Sequence, residues 1–185
     1  MKIAGIVAEY NPFHNGHAYH IEQTRSPDHG CRATHIVAVM SGNFVQRGQP
    51  AIMPKYDRVC AALAGGADLV LELPVPWAMA SAEAFGFGAV SILDGLGCVD
   101  TLSFGSECGD TALLEKAVDA LESRHFSDLL HVYLDMGISF PEARQRAIRE
   151  IAGIKTSALF ESANNTLGIE YIKALRKLKS PMRPY

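Results

Sequence analysis

The chain has 185 residues, 48% hydrophobic and 20% charged, with a formal net charge of −3. That is the balance of an ordinary soluble globular protein of one generous domain, or one domain plus an appendage. No apolar run is long enough to cross a bilayer as a helix. Glu9 and Asn11 break the opening apolar run early, so it does not read as a secretory leader. Cys31, Cys60, Cys98 and Cys108 form no C-x-x-C pair, which argues against a zinc ribbon or disulfide framework and for reduced thiols in a cytoplasm.

The run from Ile3 to Ala8 reads as a buried strand, broken by the turn signal Asn11-Pro12. His14-Asn15-Gly16-His17 follows, at the head of a helix-compatible segment. Strand, turn and helix N-terminus together make a seat for phosphate, because free N–H groups and the helix dipole point at the anion. Gly16, lacking a Cβ, would let a phosphate approach the main chain. His14 and His17, three apart, would share the first-turn face and donate to oxygens that gain charge as a P–O bond breaks.

Residues 26–30 read as a loop, and His35 to Met40 as a second buried strand. Its end runs into a loop holding Asn43, Gln46 and Arg47, donors for a phosphate or carboxylate at the edge where open α/β sheets bind ligands. A helix is expected over 54–64, with Pro54 near N1 and with Lys55 and Arg58 on one face, turned to the site or to water. A third strand covers 67–73, its Glu72 at the active edge or paired, and a single small-residue helix covers 77–93. Gly86 and Gly88 in that helix suit close packing against the sheet. The fourth strand covers 99–105, where Gly105 permits close approach by a ligand or simply makes a turn.

From Asp110 onward the periodicity is helical, over 111–122, 126–136 and 141–151, with a last helix capped by Asn164 or Asn165 and running to about Leu178. An extended tail closes the chain. Residues 141–185 hold nine Lys/Arg against four Asp/Glu, and residues 1–140 hold eight against sixteen. Such a basic end could meet nucleic acid or polyphosphate, or simply form solvated helix faces. The reading is therefore an α/β, Rossmann-like parallel sheet over residues 1–109 with a C-terminal helical subdomain over 110–185.

Family resemblance sharpens this. His14-Asn15-Gly16-His17 after a first strand resembles the H-x-G-H signature of the HIGH nucleotidyltransferase superfamily. Residues 9–17 and 40–48 resemble the tRNA(Met) cytidine acetate ligase family, as do Asp68 to Pro74, Phe104-Gly105-Ser106-Glu107 and Asn164 to Tyr171. The resemblance implies a cytoplasmic ligase that uses ATP with Mg2+ to activate acetate. The acetyl group would pass to N4 of the wobble cytidine of elongator tRNA(Met). It also implies His14 and His17 as catalytic residues. The ATP site it implies consists of Val7, Ala8, Glu9, Tyr10, Asn11, Pro12, Phe13, His14, Asn15, Gly16, His17, Ala18, Tyr19, His20, Gly105 and Asn164. Family chains continue past the position of Tyr185, so this chain corresponds to their N-terminal portion.

On charge alone, Arg144, Arg146, Arg149, Lys173, Arg176 and Lys177 are candidates for tRNA contact. Three other functions share parts of the pattern. They are a small-molecule adenylyltransferase with the same histidine cradle, a non-catalytic nucleotide- or RNA-binding module, and a metal hydrolase built on His14, His17 and His20.

Overall fold

The structure, a computed structural model, describes residues 1–28 and 30–185, so the loop expected over 26–30 lies partly outside the described residues, at His29. The chain forms two compact units. The first is Met1–Phe104 with Ala174–Tyr185, and the second is Gly105–Lys173.

In the first unit a five-stranded sheet among the described residues comprises β1 (Ile3–Ala8), β2 (His35–Ser41), β3 (Leu69–Leu73), β4 (Thr101–Ser103) and β5 (Arg183–Pro184). The spatial order is β3-β2-β1-β4-β5, and every pairing is parallel. A parallel strand covered on both faces needs apolar side chains throughout, which is why β1 and β2 read as unbroken runs. The helices here are α1 (Asn15–Arg25), α2 (Lys55–Ala64), α3 (Val75–Ala78) and α4 (Ala82–Gly95). Ala4, Ile6, Ile36, Ala38, Met40, Ile21 and Ala62 form one core between sheet and helices. Two aspartates tie down strand starts: the Ile3 N–H donates to Asp100 Oδ2 at 2.7 Å and the Ile36 N–H to Asp68 Oδ2 at 2.6 Å.

The order places the topological switch at β1. The chain winds outward through β2 and β3, then returns to lay β4 on the other side of β1. Ligands in such sheets bind in the crevice beyond the carboxyl ends at that point. The turn that leaves β1 therefore occupies the favoured position for a site.

Several expectations are corrected. The helix expected over 77–93 is two helices, because Ser81 caps a new one, accepting from the Ala84 N–H at 3.5 Å. Gly88 makes room for the Trp77 ring of α3 rather than for the sheet: a Cβ there would lie 2.6 Å from Trp77 Cγ. Pro54 stands at the N-cap of α2 and not inside it. The tail is not merely extended, nor is everything after Asp110 helical. Residues 183–184 add a strand to β4, with the Arg183 N–H donating to Asp100 O at 3.1 Å and the Tyr185 N–H to Leu102 O at 2.9 Å.

The second unit holds α5 (Thr111–Glu122), α6 (Arg124–Asp135), α7 (Phe140–Ala152), α8 (Ile154–Ala158) and the start of α9 (Ala163–Leu178). Asp110 and Ser123 start α5 and α6 by accepting from Leu113 and Phe126 N–H, each at 3.1 Å. Ala120, Phe126, Ala147 and Ile148 form its buried centre. Asn164 and Asn165 lie inside the first turn of α9 and not at its cap. Glu107 serves that end instead, accepting from the Asn164 N–H at 3.1 Å and the Asn165 N–H at 2.8 Å. Burial pushes the Glu107 carboxyl up, but the backbone donors of Glu107, Asn164 and Asn165 and the Asn164 side chain outweigh it. The group is held below the ordinary carboxylate value.

Candidate active site at the exit of the first strand

His14 is the N-cap of α1. Its Nδ1 accepts from the Gly16 N–H at 3.1 Å, while His17 Nδ1 accepts from the His14 N–H at 3.2 Å. This is a reciprocal capping box in which two imidazoles replace the usual hydroxyl and carboxylate. Gly16 is required by the cap itself, since a Cβ there would lie 2.9 Å from His14 Cε1. Its N–H donates to His14 Nδ1 in this structure.

The cap dictates the tautomer. An Nδ1 that accepts a hydrogen bond carries no proton, so each neutral ring holds its hydrogen on Nε2. The rings stack with centroids 3.7 Å apart and planes at 23°. Tyr10 meets the His17 ring edge-on at 4.9 Å, and Phe13 meets it at 5.6 Å. Burial, then the neighbouring His14 and His20, lower the His17 pKa to about 4. His17 is thus a neutral Nε2–H donor at pH 7.

That shift has a sign that can be measured. The unfolded chain takes up the His17 proton near the ordinary histidine value of 6.5, and the folded chain does so near 4. Between these values the unfolded state binds more protons, so stability falls as pH drops from about 6.5 to about 4. For a half-buried ring screened by solvent the loss is on the order of 1 kcal/mol. Urea unfolding midpoints across that window will show the slope. His17→Gln, which keeps an N3 capping group, will remove this contribution.

Tyr10 is 1% exposed with φ 47. Its phenol, pushed up to about 12 by burial, has no hydrogen-bond partner among the described residues. The Asn11-Pro12 bond is cis, and Asn11 Oδ1 accepts from the Ile52 N–H at 2.8 Å. Val7 and Ala8 end β1 partly buried, while Pro12, Asn15 and Tyr19 are exposed and Ala18 is half-buried. His20 turns toward β4, its Nε2 3.0 Å from Ser103 Oγ, which is itself 2.8 Å from Thr24 Oγ1. Burial lowers the His20 pKa. His20 is therefore engaged apart from the stacked His14–His17 pair. Among the described residues no group of three or more His, Cys, Asp or Glu side chains could hold a metal ion.

Arg58 is one of the residues, with Arg47 and Lys55, whose role the sequence left open. It is 0% exposed. Its Nη1 donates to Glu9 O at 2.6 Å and Ser41 O at 3.0 Å, Nη2 to Gly42 O, and Nε to Met53 O at 3.2 Å. One guanidinium thus ties the exits of β1 and β2 to the loop before α2. Burial lowers its pKa, opposed by Glu9 and Glu72. The Glu9 carboxylate accepts from the Gln46 N–H at 2.8 Å, binding the same loop a second time. Asn43 and Arg47 are exposed, Arg47 at φ 67. Lys55 does not share Arg58's role: its ammonium pairs with Glu72 at 2.6 Å.

In the second unit Gly105 is exposed with open space about it, and Asn164 is exposed at the start of α9. Of the basic candidates there, Arg146 pairs with Glu142 at 2.7 Å, Lys173 with Glu170 at 2.6 Å, and Arg144 lies over the Phe160 ring at 4.7 Å. In the first unit, Lys177 lies over Phe87 at 4.8 Å.

Two stacked imidazoles thus stand at a helix N-terminus beside the switch point, where open α/β sheets bind ligands. The family model HIGH Nucleotidyl Transferase matches residues 1–185, and the chain belongs to that family. Within it, the chain is 48% identical to the tRNA(Met) cytidine acetate ligase of Acetivibrio thermocellus and 49% identical to that of Caldicellulosiruptor bescii. Each comparison covers 100% of this chain and 45% of the relative. A crystal structure of Thermotoga maritima TmcAL bound with alpha-thio ATP matches with TM-score 0.93 and 41% identity, over 100% of this chain and 46% of that one. The chain thus spans about half the length of the relatives it matches. No helix among the described residues is long and apolar enough to cross a membrane.

Proposed function

We propose that the chain carries the ATP-handling chemistry of a tRNA(Met) cytidine acetate ligase. Acetate attacks the α-phosphate of ATP in line, forming acetyl-adenylate and releasing pyrophosphate. N4 of the wobble cytidine of elongator tRNA(Met) then takes the acetyl group, and AMP leaves with the bonding electrons. The work belongs in the cytoplasm, where tRNA is found.

The observation that carries this reading is the reciprocal cap. With both Nδ1 atoms accepting, a neutral ring carries its hydrogen on Nε2, and burial, then the neighbouring His14 and His20, keep His17 uncharged at pH 7. Such donors stabilise charge growing on the departing pyrophosphate without needing to reorganise. The remaining help is positioning, with no covalent enzyme intermediate. Mg2+ would travel on the nucleotide's own phosphates, as hard cations with triphosphates do. Gly105 and Asn164 complete the proposed ATP-contacting set. The alpha-thio ATP carried by the T. maritima protein supports the nucleotide part of the reading.

The test is exchange of labelled pyrophosphate into ATP by the chain, with and without acetate, followed by assay of tRNA(Met) for N4-acetylcytidine. Acetate-dependent exchange is expected. Exchange that needs a phosphorylated small-molecule acceptor would replace this reading with an adenylyltransferase. ATP binding with no exchange at all would leave a binding module.

A further inference from the structure

The nucleotide cradle leaves a cavity of the first unit unused. A cleft of about 240 Å³ opens over the carboxyl ends of β2 and β3. Met40, Val59 and Val70 form its apolar side, and Lys55, Glu72 and Tyr56 its polar side. In the sheet register Met40 pairs with Ala8 on one side and Glu72 on the other. The cleft therefore lies one strand over from the exit of β1, roughly 5–10 Å at ordinary strand spacing.

Its polar side has a pattern. Lys55 Nζ and Glu72 Oε2 stand 2.6 Å apart, placing a donor directly beside an acceptor. The carboxylate has room because Gly42 has no side chain: a Cβ there would lie 2.1 Å from Glu72 Oε1. Tyr56, 73% exposed, offers a ring face at the same opening, with the Lys55 ammonium 5.6 Å from its centroid.

A free anion such as acetate fits this pattern poorly, because it brings only acceptors and a negative charge toward Glu72. A neutral base with a donor beside an acceptor fits well. Cytosine presents N4–H beside N3, with O2 as a further acceptor for the ammonium, and carboxylates are natural acceptors for cytosine N4. Uracil presents the reverse order, and adenine has only a C–H where cytosine has O2. Unstacked bases are typically held by their Watson–Crick edge against an aromatic face.

We infer that this cleft is the seat of the acceptor cytosine, with Glu72 accepting from N4–H, Lys55 donating to N3 and O2, and Tyr56 stacking on the ring. The inference rests on the cytidine-acetylating function proposed above.

The test uses the 185-residue chain labelled with 15N and titrated with cytidine, uridine and adenosine. Cytidine is expected to move the amide resonances of Gly42, Lys55, Tyr56 and Glu72, binding about tenfold tighter than uridine. In Glu72→Gln the cytidine-to-uridine ratio falls toward one, and Lys55→Met weakens cytidine; spectra away from the cleft report that each variant is folded. No cytidine-dependent shift at these amides, equal affinity for uridine or adenosine, or an unchanged ratio in a folded Glu72→Gln chain overturns the inference. If a variant does not fold, the comparison of the three nucleosides on the unsubstituted chain decides alone. Acetate-dependent exchange in the unsubstituted chain reports on the nucleotide reading separately, so the two can fail independently.

Discussion

Arg58→Met lowers the stability of the chain by about 3–5 kcal/mol, measured by urea unfolding. The substitution leaves the carbonyls of Glu9, Ser41, Gly42 and Met53 without this donor, those of Ser41 and Gly42 in buried surroundings. Each orphaned carbonyl costs roughly 1–3 kcal/mol. Removing a buried guanidinium returns part of that, because the cation is itself desolvated. Arg58→Lys recovers only a fraction, since a point ammonium cannot span three chain segments as a planar fork does. A chain whose Arg58→Met variant unfolds at the same urea concentration as the native chain would show that the clamp carries no net stability.

His14→Ser separates the cap from the chemistry. Serine is among the best N-caps, so α1 keeps its start and stability moves by no more than about 0.5 kcal/mol. What disappears is the Nε2–H donor. If the imidazole pair stabilises departing pyrophosphate, acetate-dependent exchange falls about 100-fold or more, the usual effect of deleting one preorganised donor. The fall should lie mostly in the rate and less in the apparent KM for ATP, because the donor matters most as charge develops. Exchange within a few-fold of the native rate would reduce His14 to a cap.

The two sites stand in a simple relation within the first unit. The cradle follows β1, the cleft sits over β2 and β3, and Arg58 holds the exits of β1 and β2 together between them.

Much of this was written locally in the chain. The runs of β1 and β2 announce strands buried on both faces, and α5 starts just after Asp110, whose short side chain accepts from one of its free N–H groups. The histidine turn is legible for the same reason: strand, break and helix start lie within residues 3–20. What could not be read depends on partners far along the chain. β5 has no apolar run, since Arg183 and Pro184 join the sheet through backbone bonds to β4. Arg58, three residues from Lys55 on the same helix, looks like a surface charge. Only the folded chain brings Glu9, Ser41 and Met53 around it, while Lys55 turns to Glu72. Local periodicity determined where the elements lie and where the histidine turn sits. Tertiary packing decided which charge is buried and which pair lines the cleft, because hydrogen-bond partners distant in sequence meet only in the fold.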